Sequence, residues 1–412
     1  MKLDFHVLTV FPPHNVNRDE DGRPKTALFG NVLRGRISSQ SKKKAMRLSP
    51  HFADLQRATR TREAGIKVYR ALKDAGVEDQ ALRVLAARAV NHALGGGGTA
   101  PDLKSVRKDL KEFDGKEKKA IEKAMGEHAL DEAAAREHAL ERWLRSGQGL
   151  VISTKEFAGL DAWTQAFAEA CKSGGKDAEE ADERCRAICD GGLLAPADLD
   201  EDTALFGRMV AANPEFNVDA SCMVSHAVTT HRFGVEGDYF SAGEELNVLK
   251  EKGAAITSYA FFGSGVYYQH AVLDVSHLLD GLNGDVERTR TAALAFLDGL
   301  VAAQPTGKRN SHGSDVLASY VLCGRGVAPS FNAMLAFLKP VEADDGDLLK
   351  ASARELLDFY EVTRSAYGLD TDYRVFTAAP SLRSGNAPKA PEVWDIADLR
   401  AFVADACTPA LA

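Results

Sequence analysis

The sequence predicts an α+β fold whose core is interrupted by two insertions. Strand-like patterns occur at residues 2–8, Val224–Thr230 and Gly265–Leu273, far apart in the chain. The stretch 56–204 is instead rich in Ala, Leu and Glu at helical spacing, which indicates a helical insertion. The segment 232–262 combines glycines with aromatic residues and predicts a protruding β-ribbon or long loop. Short strands crossed by helices are typical of α+β architecture.

The N-terminal region predicts a strand, a loop and a short helix. Apolar Leu3, Phe5 and Val7 alternate with polar residues, so we expect a half-buried strand. Turn-forming residues follow in PPHNVNRDEDGRPK. Ser38 and Ser39 are good N-caps for a helix over Gln40–Leu48. We expect this helix to pack a small apolar face (Ser41, Ala45, Leu48) and to expose a basic one (Gln40, Lys43, Arg47).

Helices are also predicted in the insertion and toward the C-terminus. In the insertion they are ALRVLAARAVNHAL, ended by Gly95–Gly98, and DEAAAREHALERWL; KSGGKDAEE reads as a surface loop. The basic stretches KDLKEF and KEKKAIEK fit solvated helix faces better than binding surfaces. Later amphipathic patterns predict helices at Glu287–Ala303, Leu348–Ala366 and Asp395–Ala406.

Charge is unevenly distributed along the chain. The net charge is −8, yet Lys25–Arg47 carries +7 without an acidic residue, which leaves −15 for the rest. Such a stripe can bind phosphates, although a solvated charge run is an equally good interpretation from charge alone.

Composition excludes several classes of protein. No apolar run reaches the length of a membrane span, and the start MKLDFHVLTV lacks a signal-peptide pattern. The six cysteines are scattered, at 171, 185, 189, 222, 323 and 407, without a CxxC pair. We therefore expect reduced thiols in a cytoplasmic protein.

Several blocks of sequence resemble one known family. They are NRD, PKTALFG and RGRISSQSKKKAMR within 17–47, ALFGRM at 204–209, DASCMVSHAVTTHRF at 219–233, FFGSGVYYQHAVLD at 261–274 and, more weakly, FYEVTRSAYGL at 359–369. In this order they resemble the CasC family, the RNA-binding backbone subunit of type I-E CRISPR Cascade. Together the quoted blocks make up about a sixth of the chain.

The resemblance implies a hand-shaped molecule built on an RRM-like (ferredoxin-like) palm, with helical fingers and a β-ribbon thumb. The implied domains are palm at 1–55, fingers at 56–204, palm again at 205–231, thumb at 232–262 and palm at 263–412. The implied partners are guide RNA, further copies of the chain, other Cascade subunits and, through the guide, target DNA. Neither catalysis, cofactor, metal nor membrane is implied.

The resemblance also implies which residues contact RNA. A guide must be held whatever its sequence, so contacts to phosphates and sugars are expected. Matching positions are Lys25, Ser38, Gln40, Lys43, Arg47 and Met209, with Tyr239 and Phe240 in the thumb. Arg208, Lys308 and Arg309 are further candidates, named from their charge rather than from the resemblance. Met209 matches a methionine that wedges between bases, although alone it reads as a core residue. The two aromatic residues could stack on bases or pack at the root of the thumb. Lys308, Arg309 and His312 lie in a loop that could touch RNA or be a plain turn.

Two positions depart from the family pattern. Lys42 stands where the family usually has a bulky residue, which adds a charge, and Gly30-Asn31 stands where paired glycines are usual, which could alter a turn.

Two features suggest catalysis instead. His226 and His231 could serve acid–base or metal chemistry, but their spacing of five residues favours structural hydrogen bonding. The acidic loop Asp19, Glu20 and Asp21 resembles the position of the cleaving residue in type III CRISPR backbone subunits, and its carboxylates could bind Mg²⁺. A guided ribonuclease is therefore the alternative to a non-catalytic subunit.

Overall fold

The structure, a computed structural model, describes residues 1–95, 99–172, 177–191, 193–194, 199–210, 213–243, 245–246, 254–383, 388–389 and 391–408. The chain divides into two compact units. The first comprises Met1–Leu55 and Ser221–Ala412, and the second comprises Gln56–Ala220. The helical unit thus runs on to Ala220, whereas the sequence predicted its end at residue 204.

The strands are β1 (Lys2–His14), β2 (Thr26–Phe29), β3 (Val32–Ile37), β4 (Thr59–Thr61), β5 (Leu150–Ile152), β6 (Cys222–Val224), β7 (Ala227–Thr229), β8 (Glu236–Gly243), β9 (Ala254–Asp274), β10 (Tyr320–Gly326), β11 (Asp372–Thr377) and β12 (Glu392–Val393).

The α-helices are α1 (Ser39–Arg47), α2 (Ala64–Asp74), α3 (Gln80–Ala93), α4 (Leu103–Lys116), α5 (Lys118–His128), α6 (Glu132–Trp143), α7 (Thr154–Lys172), α8 (Asp177–Gly191), α9 (Glu201–Phe206), α10 (Val275–Gly281), α11 (Val286–Ala302), α12 (Arg309–His312), α13 (Leu348–Ala366) and α14 (Ile396–Asp405). Short 3₁₀ helices lie at Pro50–Phe52, Pro214–Phe216, Ala333–Phe337 and Pro380–Leu382.

One sheet organises the first unit. Its strands lie in the order β12-β11-β10-β1-β9-β7-β3-β2, and β6 and β8 also pair with β9. Neighbouring strands are antiparallel except β11 and β12. The α+β class is therefore confirmed at the level of a large mixed sheet with helices.

The first strand is longer and more deeply buried than its alternating sequence predicts. Residues 3–9 of β1 are all buried, the polar Asp4 and His6 among them. The reason is that helices cover both faces of the strand. The centroids of the Phe5 ring and the Phe296 ring of α11 are 6.0 Å apart. On the opposite face, the centroids of the His6 ring and the Tyr360 ring of α13 are 5.3 Å apart.

Helix α1 begins as predicted but buries a different face. Ser38 is the N-cap, and its Oγ accepts a hydrogen bond from the Ser41 N–H at 3.3 Å. The buried residues are Lys42, Met46 and Arg47, whereas Leu48 is exposed. The predicted packing face (Ser41, Ala45, Leu48) instead lines an open groove of about 550 Å³. The Met46 side chain is apolar and larger than those of Ser41 and Ala45. Because Met46 faces the core, Ser41 and Ala45 face outward on the helix.

The predicted strand over Val224–Thr230 is divided into β6 and β7, and both segments pair with β9. The predicted strand at Gly265–Leu273 lies within the longer β9. Helix α13 has the predicted bounds, and α11 and α14 agree within one residue at each end.

The helical unit packs its own apolar core. Tyr69 of α2, Leu85 and Val90 of α3, and Phe167 of α7 are among its fully buried side chains. Its predicted helices correspond to α3 and α6. The predicted helix end at Gly95–Gly98 and the predicted loop at 172–180 lie partly outside the described residues.

Two further observations concern the whole described chain. None of the six cysteines forms a disulfide. Across the helices that the structure describes, none has both the length and the apolar character that crossing a bilayer demands.

Candidate nucleic-acid interface

An exposed two-stranded ribbon projects aromatic side chains from the first unit. It consists of β8 and the first part of β9, with Tyr239 opposite Tyr259 and Phe240 opposite Ser258. Tyr239 and Phe240 are 58% and 45% exposed, so neither packs at the root of the ribbon. Because side chains alternate along a strand, Phe240 lies on one face and Tyr239 on the other, where its ring contacts Tyr259 at 5.3 Å. The part of the predicted thumb at 244 and 247–253 lies outside the described residues.

A cleft of about 580 Å³ opens beside the Phe240 face of the ribbon. It is lined by three segments that are distant in sequence. They are the turn after β1 (including Arg18 and Asp21), the ribbon (including Asp238 and Phe240) and the loop at 308–312 (including Lys308 and His312). The exposed cations Arg18 and Lys308 beside an aromatic ring suit a phosphate and a stacked base.

The root of the ribbon is tied to the turn after β1. The buried Asn15 amide donates to Gly22 O at 2.9 Å and to Phe261 O at 2.7 Å. The Arg23 guanidinium lies over the Phe261 ring, 4.7 Å from its centroid. These contacts fix one wall of the cleft relative to the other.

Much of the basic segment Lys25–Arg47 is hidden. Arg34, Lys42 and Arg47 are buried, which leaves Lys25, Arg36, Lys43 and Lys44 with exposed surface. The expectation that Arg47 presents its charge on an open helix face is therefore corrected. The departure at Lys42 adds no surface charge either, because its Nζ donates to Leu300 O and Ala303 O at the end of α11.

Arg34 has a structural role in this segment. Its guanidinium donates to Thr230 O at 2.6 Å and Phe337 O at 2.8 Å, so it joins β3 to two other segments through backbone carbonyls. The hairpin before it keeps the turn that paired glycines would form. Gly30 and Asn31 both adopt left-handed backbone angles (φ 59° and 58°), which asparagine tolerates. A Cβ at Gly30 would lie 2.0 Å from Leu338 O, so this position requires glycine.

Several of the predicted RNA-contacting residues lie near the start of α1. Asn17 organises them, because its Oδ1 accepts from Ser38 N at 2.9 Å and its carbonyl accepts from Lys25 N at 2.9 Å. Gln40 is exposed in the first turn of α1, and Lys43 is half-buried on the same helix. The result is a helix N-terminus with nearby cations and no acidic residue in its first turn, an arrangement that attracts phosphates.

The two histidines make structural hydrogen bonds. His226 Nδ1 accepts from Ser39 N at 3.0 Å, and burial together with the charges of Arg36 and Lys25 lowers the pKa of its ring. His231 Nε2 accepts from Val266 N at 3.1 Å, while its Nδ1 donates to Arg232 O at 2.7 Å. Both rings are therefore committed to backbone partners.

Met209 and Arg208, in the helical unit, have opposite environments. Arg208 is buried, and its guanidinium pairs with Glu156 at 2.7 Å and 2.9 Å. A direct contact between Arg208 and RNA is therefore not retained. Gly207 (φ +73°) brings the backbone close to Val218, where a Cβ would lie 2.8 Å from the carbonyl oxygen. On this anchored backbone Met209 is 77% exposed, which excludes a core role.

The two cations of the loop at 308–312, Lys308 and Arg309, lie in different surroundings. Lys308 lines the cleft beside the ribbon, whereas Arg309 pairs with Asp315 at 2.8 Å and borders the groove along α1. Lys308 therefore remains a candidate in the cleft, and the side chain of Arg309 is held by an acidic neighbour.

The acidic turn is partly used in folding. Asp19 Oδ1 accepts hydrogen bonds from the N–H groups of Asp21 and Arg23 at 3.0 Å and 2.9 Å. Asp21 itself lines the cleft. Within the described ranges, the turn does not form a group of three side chains with metal-ligand spacing.

Sequence reasoning missed Arg18 as a cleft cation, Tyr259 as the partner of Tyr239, and Asn17 as an organiser. Arg18 and Asn17 belong to the NRD motif, and Tyr259 lies in the aromatic-rich run before Gly263. These two sequence features could have drawn attention to the three residues. The role of Tyr259 depends on strand pairing across the ribbon, and the roles of Arg18 and Asn17 depend on contacts between separate segments, which a single sequence does not reveal.

The chain is similar to known proteins over nearly its whole length. No curated protein matches it significantly. Two solved structures share its fold. One, a "CRISPR RNA-guided surveillance complex, pre-nicking", has 24% identity, covers 99% of this chain and 100% of that chain, and has a TM-score of 0.74. Another, a "CRISPR RNA-guided surveillance complex", has 20% identity, covers 98% and 100%, and has a TM-score of 0.54.

The sequence also matches the CT1975-like protein family over residues 3–396. This match covers all the blocks that carry the resemblance to CasC. The chain therefore belongs to the CT1975-like family, and its identification as a CasC-like backbone protein is confirmed.

Proposed function

We propose that this protein is a non-catalytic backbone subunit of a type I-E CRISPR surveillance complex, and that it binds guide RNA whatever its sequence. The observation that carries the proposal is the cleft beside the ribbon, where Phe240 lies close to the exposed cations Arg18 and Lys308. An aromatic face accepts any base, and a cation accepts any phosphate.

In this proposal three surfaces contact the guide RNA. The cleft holds one stretch of backbone, and the start of α1 with Lys25 and Lys43 neutralises further phosphates. Met209 wedges against an unstacked base, since an exposed apolar side chain on an anchored backbone suits that role. The ribbon covers the strand, and the guide is then presented to target DNA in segments.

The palm is an RRM-like domain in this proposal. Strand order β10-β1-β9-β7 supports it, because strands that come fourth, first, third and second in the chain lie side by side and antiparallel. Helices α1 and α11 fall between the first and second and between the third and fourth of these strands. That succession is the β-α-β-β-α-β arrangement.

The partners follow from the same proposal. Further copies of the chain stack along the guide, other subunits complete the complex, and target DNA is met only through the guide. RNA binding requires no cofactor in this proposal, and the protein acts in the cytoplasm.

The proposal can be tested on the purified chain with short single-stranded RNAs of unrelated sequence. Phe240→Ala should weaken binding to all of them by about 1–3 kcal/mol, the usual value of one stacking platform. Tyr367→Ala is the matched control, because Tyr367 is exposed and lies outside the cleft. Equal affinities for wild type and Phe240→Ala would remove the cleft from the binding surface.

The guided ribonuclease remains the alternative, since Asp21 lies in the cleft. Assembled protein given guide, complementary RNA and Mg²⁺ should leave that RNA intact. Regularly spaced cuts that Asp21→Ala abolishes would establish the ribonuclease and refute the non-catalytic role.

A further inference from the structure

A compact group of polar side chains lies buried in the sheet, away from the proposed RNA surface. Asp4 and His6 stand on the same face of β1, and His270 of β9 is paired directly opposite His6. His270 Nε2 lies 2.5 Å from Asp4 Oδ1, and His6 Nε2 lies 3.6 Å from Asp4 Oδ2. One ligand atom from each residue falls within 4.8 Å of the other two.

One atom of this group is unexplained by the protein alone. His6 is 0% exposed, and its Nε2 has no hydrogen-bond partner. Buried polar nitrogen atoms are almost always satisfied. The other ring nitrogen is accounted for, because His6 Nδ1 lies 2.9 Å from the Tyr268 hydroxyl, which also accepts from Ala333 N at 3.0 Å. These contacts fix the ring so that Nε2 points toward the Asp4 carboxylate.

We propose that Asp4, His6 and His270 bind one Zn²⁺ ion. Two imidazole nitrogens and a carboxylate are a ligand set that zinc commonly takes, with water at the fourth position.

The geometry needs only a small adjustment. Ligands about 2.0–2.2 Å from a tetrahedral zinc ion lie roughly 3.3 Å from one another. The His6–Asp4 separation is already close to this value, and the short His270–Asp4 contact must open to admit the ion. Tyr268 supplies the partner that orients a metal-bound histidine, with the His6 proton on Nδ1. Asp4 and His270 each remain 8% exposed, which provides a path for the ion.

The consequence for the fold is a cross-link between the paired strands β1 and β9. Both β1 and β9 contribute ligands, and β9 continues from His270 back into the ribbon. Zinc would therefore stabilise the strand pair from which the ribbon extends. This inference does not depend on RNA binding.

The test uses the full chain, expressed without a histidine tag, stripped with a chelator, dialysed against Zn²⁺ and analysed for metal. About one zinc ion per chain should be retained, zinc should raise the melting temperature, and Co²⁺ should give the visible absorption of a tetrahedral site. His6→Phe and His270→Phe should lose the ion and the thermal response. His51→Ala, which removes an exposed histidine, should keep both.

Two outcomes would overturn the proposal. One is wild-type protein that retains no zinc above the chelator-treated background, a result that does not depend on whether the variants fold. The other is a folded His6→Phe variant, checked by circular dichroism, that keeps a full equivalent of zinc.

Discussion

Replacing the buried Lys42 by methionine should destabilise the first unit, and the loss should grow with pH. Lys42 is 2% exposed, and its Nζ donates to Leu300 O at 2.8 Å, Ala303 O at 2.7 Å and Gln304 Oε1 at 3.3 Å. The first two acceptors are terminal carbonyls of α11, which lack partners within the helix. Methionine has similar length but no donor, and each stranded carbonyl costs about 1–3 kcal/mol.

The pH dependence follows from the ammonium group. Burial lowers the pKa of Lys42 to about 7, against about 10.4 in an unfolded chain. Between these values the unfolded state binds more protons, so wild-type stability rises with pH. The stability that Lys42 contributes is fully present above its pKa in the unfolded chain. It is lost as the pH falls through its pKa in the folded protein, which is about 7. With about 1.4 kcal/mol for each pKa unit, the gap between wild type and Lys42→Met should widen by about 2 kcal/mol from about pH 7 to 9.

Urea unfolding followed by circular dichroism at a series of pH values gives these free energies. Lys44→Met is the matched control, because Lys44 is exposed on the same helix and should track wild type. Groups other than Lys42 titrate equally in wild type and variant and cancel in the difference. Parallel curves for wild type and Lys42→Met across this range would refute the reasoning.

Three further predictions concern RNA. Lys43→Ala should reduce the slope of log K against log[salt] by about 0.7 in RNA titrations, because one phosphate contact is lost; Lys42→Met should leave that slope unchanged, since its charge is buried. Met209→Ala should weaken RNA binding by about 1 kcal/mol without lowering the melting temperature, because the side chain is 77% exposed; an equal loss of stability would restore it to the core. Chemical probing of a bound guide should find reactive Watson–Crick edges at a fixed interval, and these should vanish when residues 236–260 are replaced by a short linker; uniform reactivity in wild type would contradict the wedge.

Local signals in the sequence predicted the helices best. The bounds of α13 agree because an apolar helical stripe follows the N-cap Asp347, whose side chain accepts from Lys350 N. The same logic named Ser38 and Ser39 as candidate N-caps of α1, and Ser38 is the N-cap in the structure. These features depend on neighbours within one or two turns, which a single sequence contains.

Burial of charge was predicted poorly, because it depends on distant partners. Lys42 is held by carbonyls 258 and 261 residues away, and Arg34 by carbonyls at Thr230 and Phe337. A basic run in sequence therefore overstated the exposed positive surface. The cleft likewise joins segments near residues 18, 240 and 308, which lie far apart in the sequence. The sequence analysis named Phe240, Lys308 and His312, but it missed Arg18 and Tyr259 and did not predict that these residues line one cleft.

The central claim is that the protein holds guide RNA. The most direct measurement is purification of the tagged chain, without added nuclease, from cells that carry a CRISPR array, followed by sequencing of the co-purified RNA. The account predicts repeat-derived RNA of uniform length with many different spacers, reduced in parallel with Phe240→Ala. Recovery of partner subunits together with no RNA, or with fragments that reflect only total cellular RNA, would contradict it.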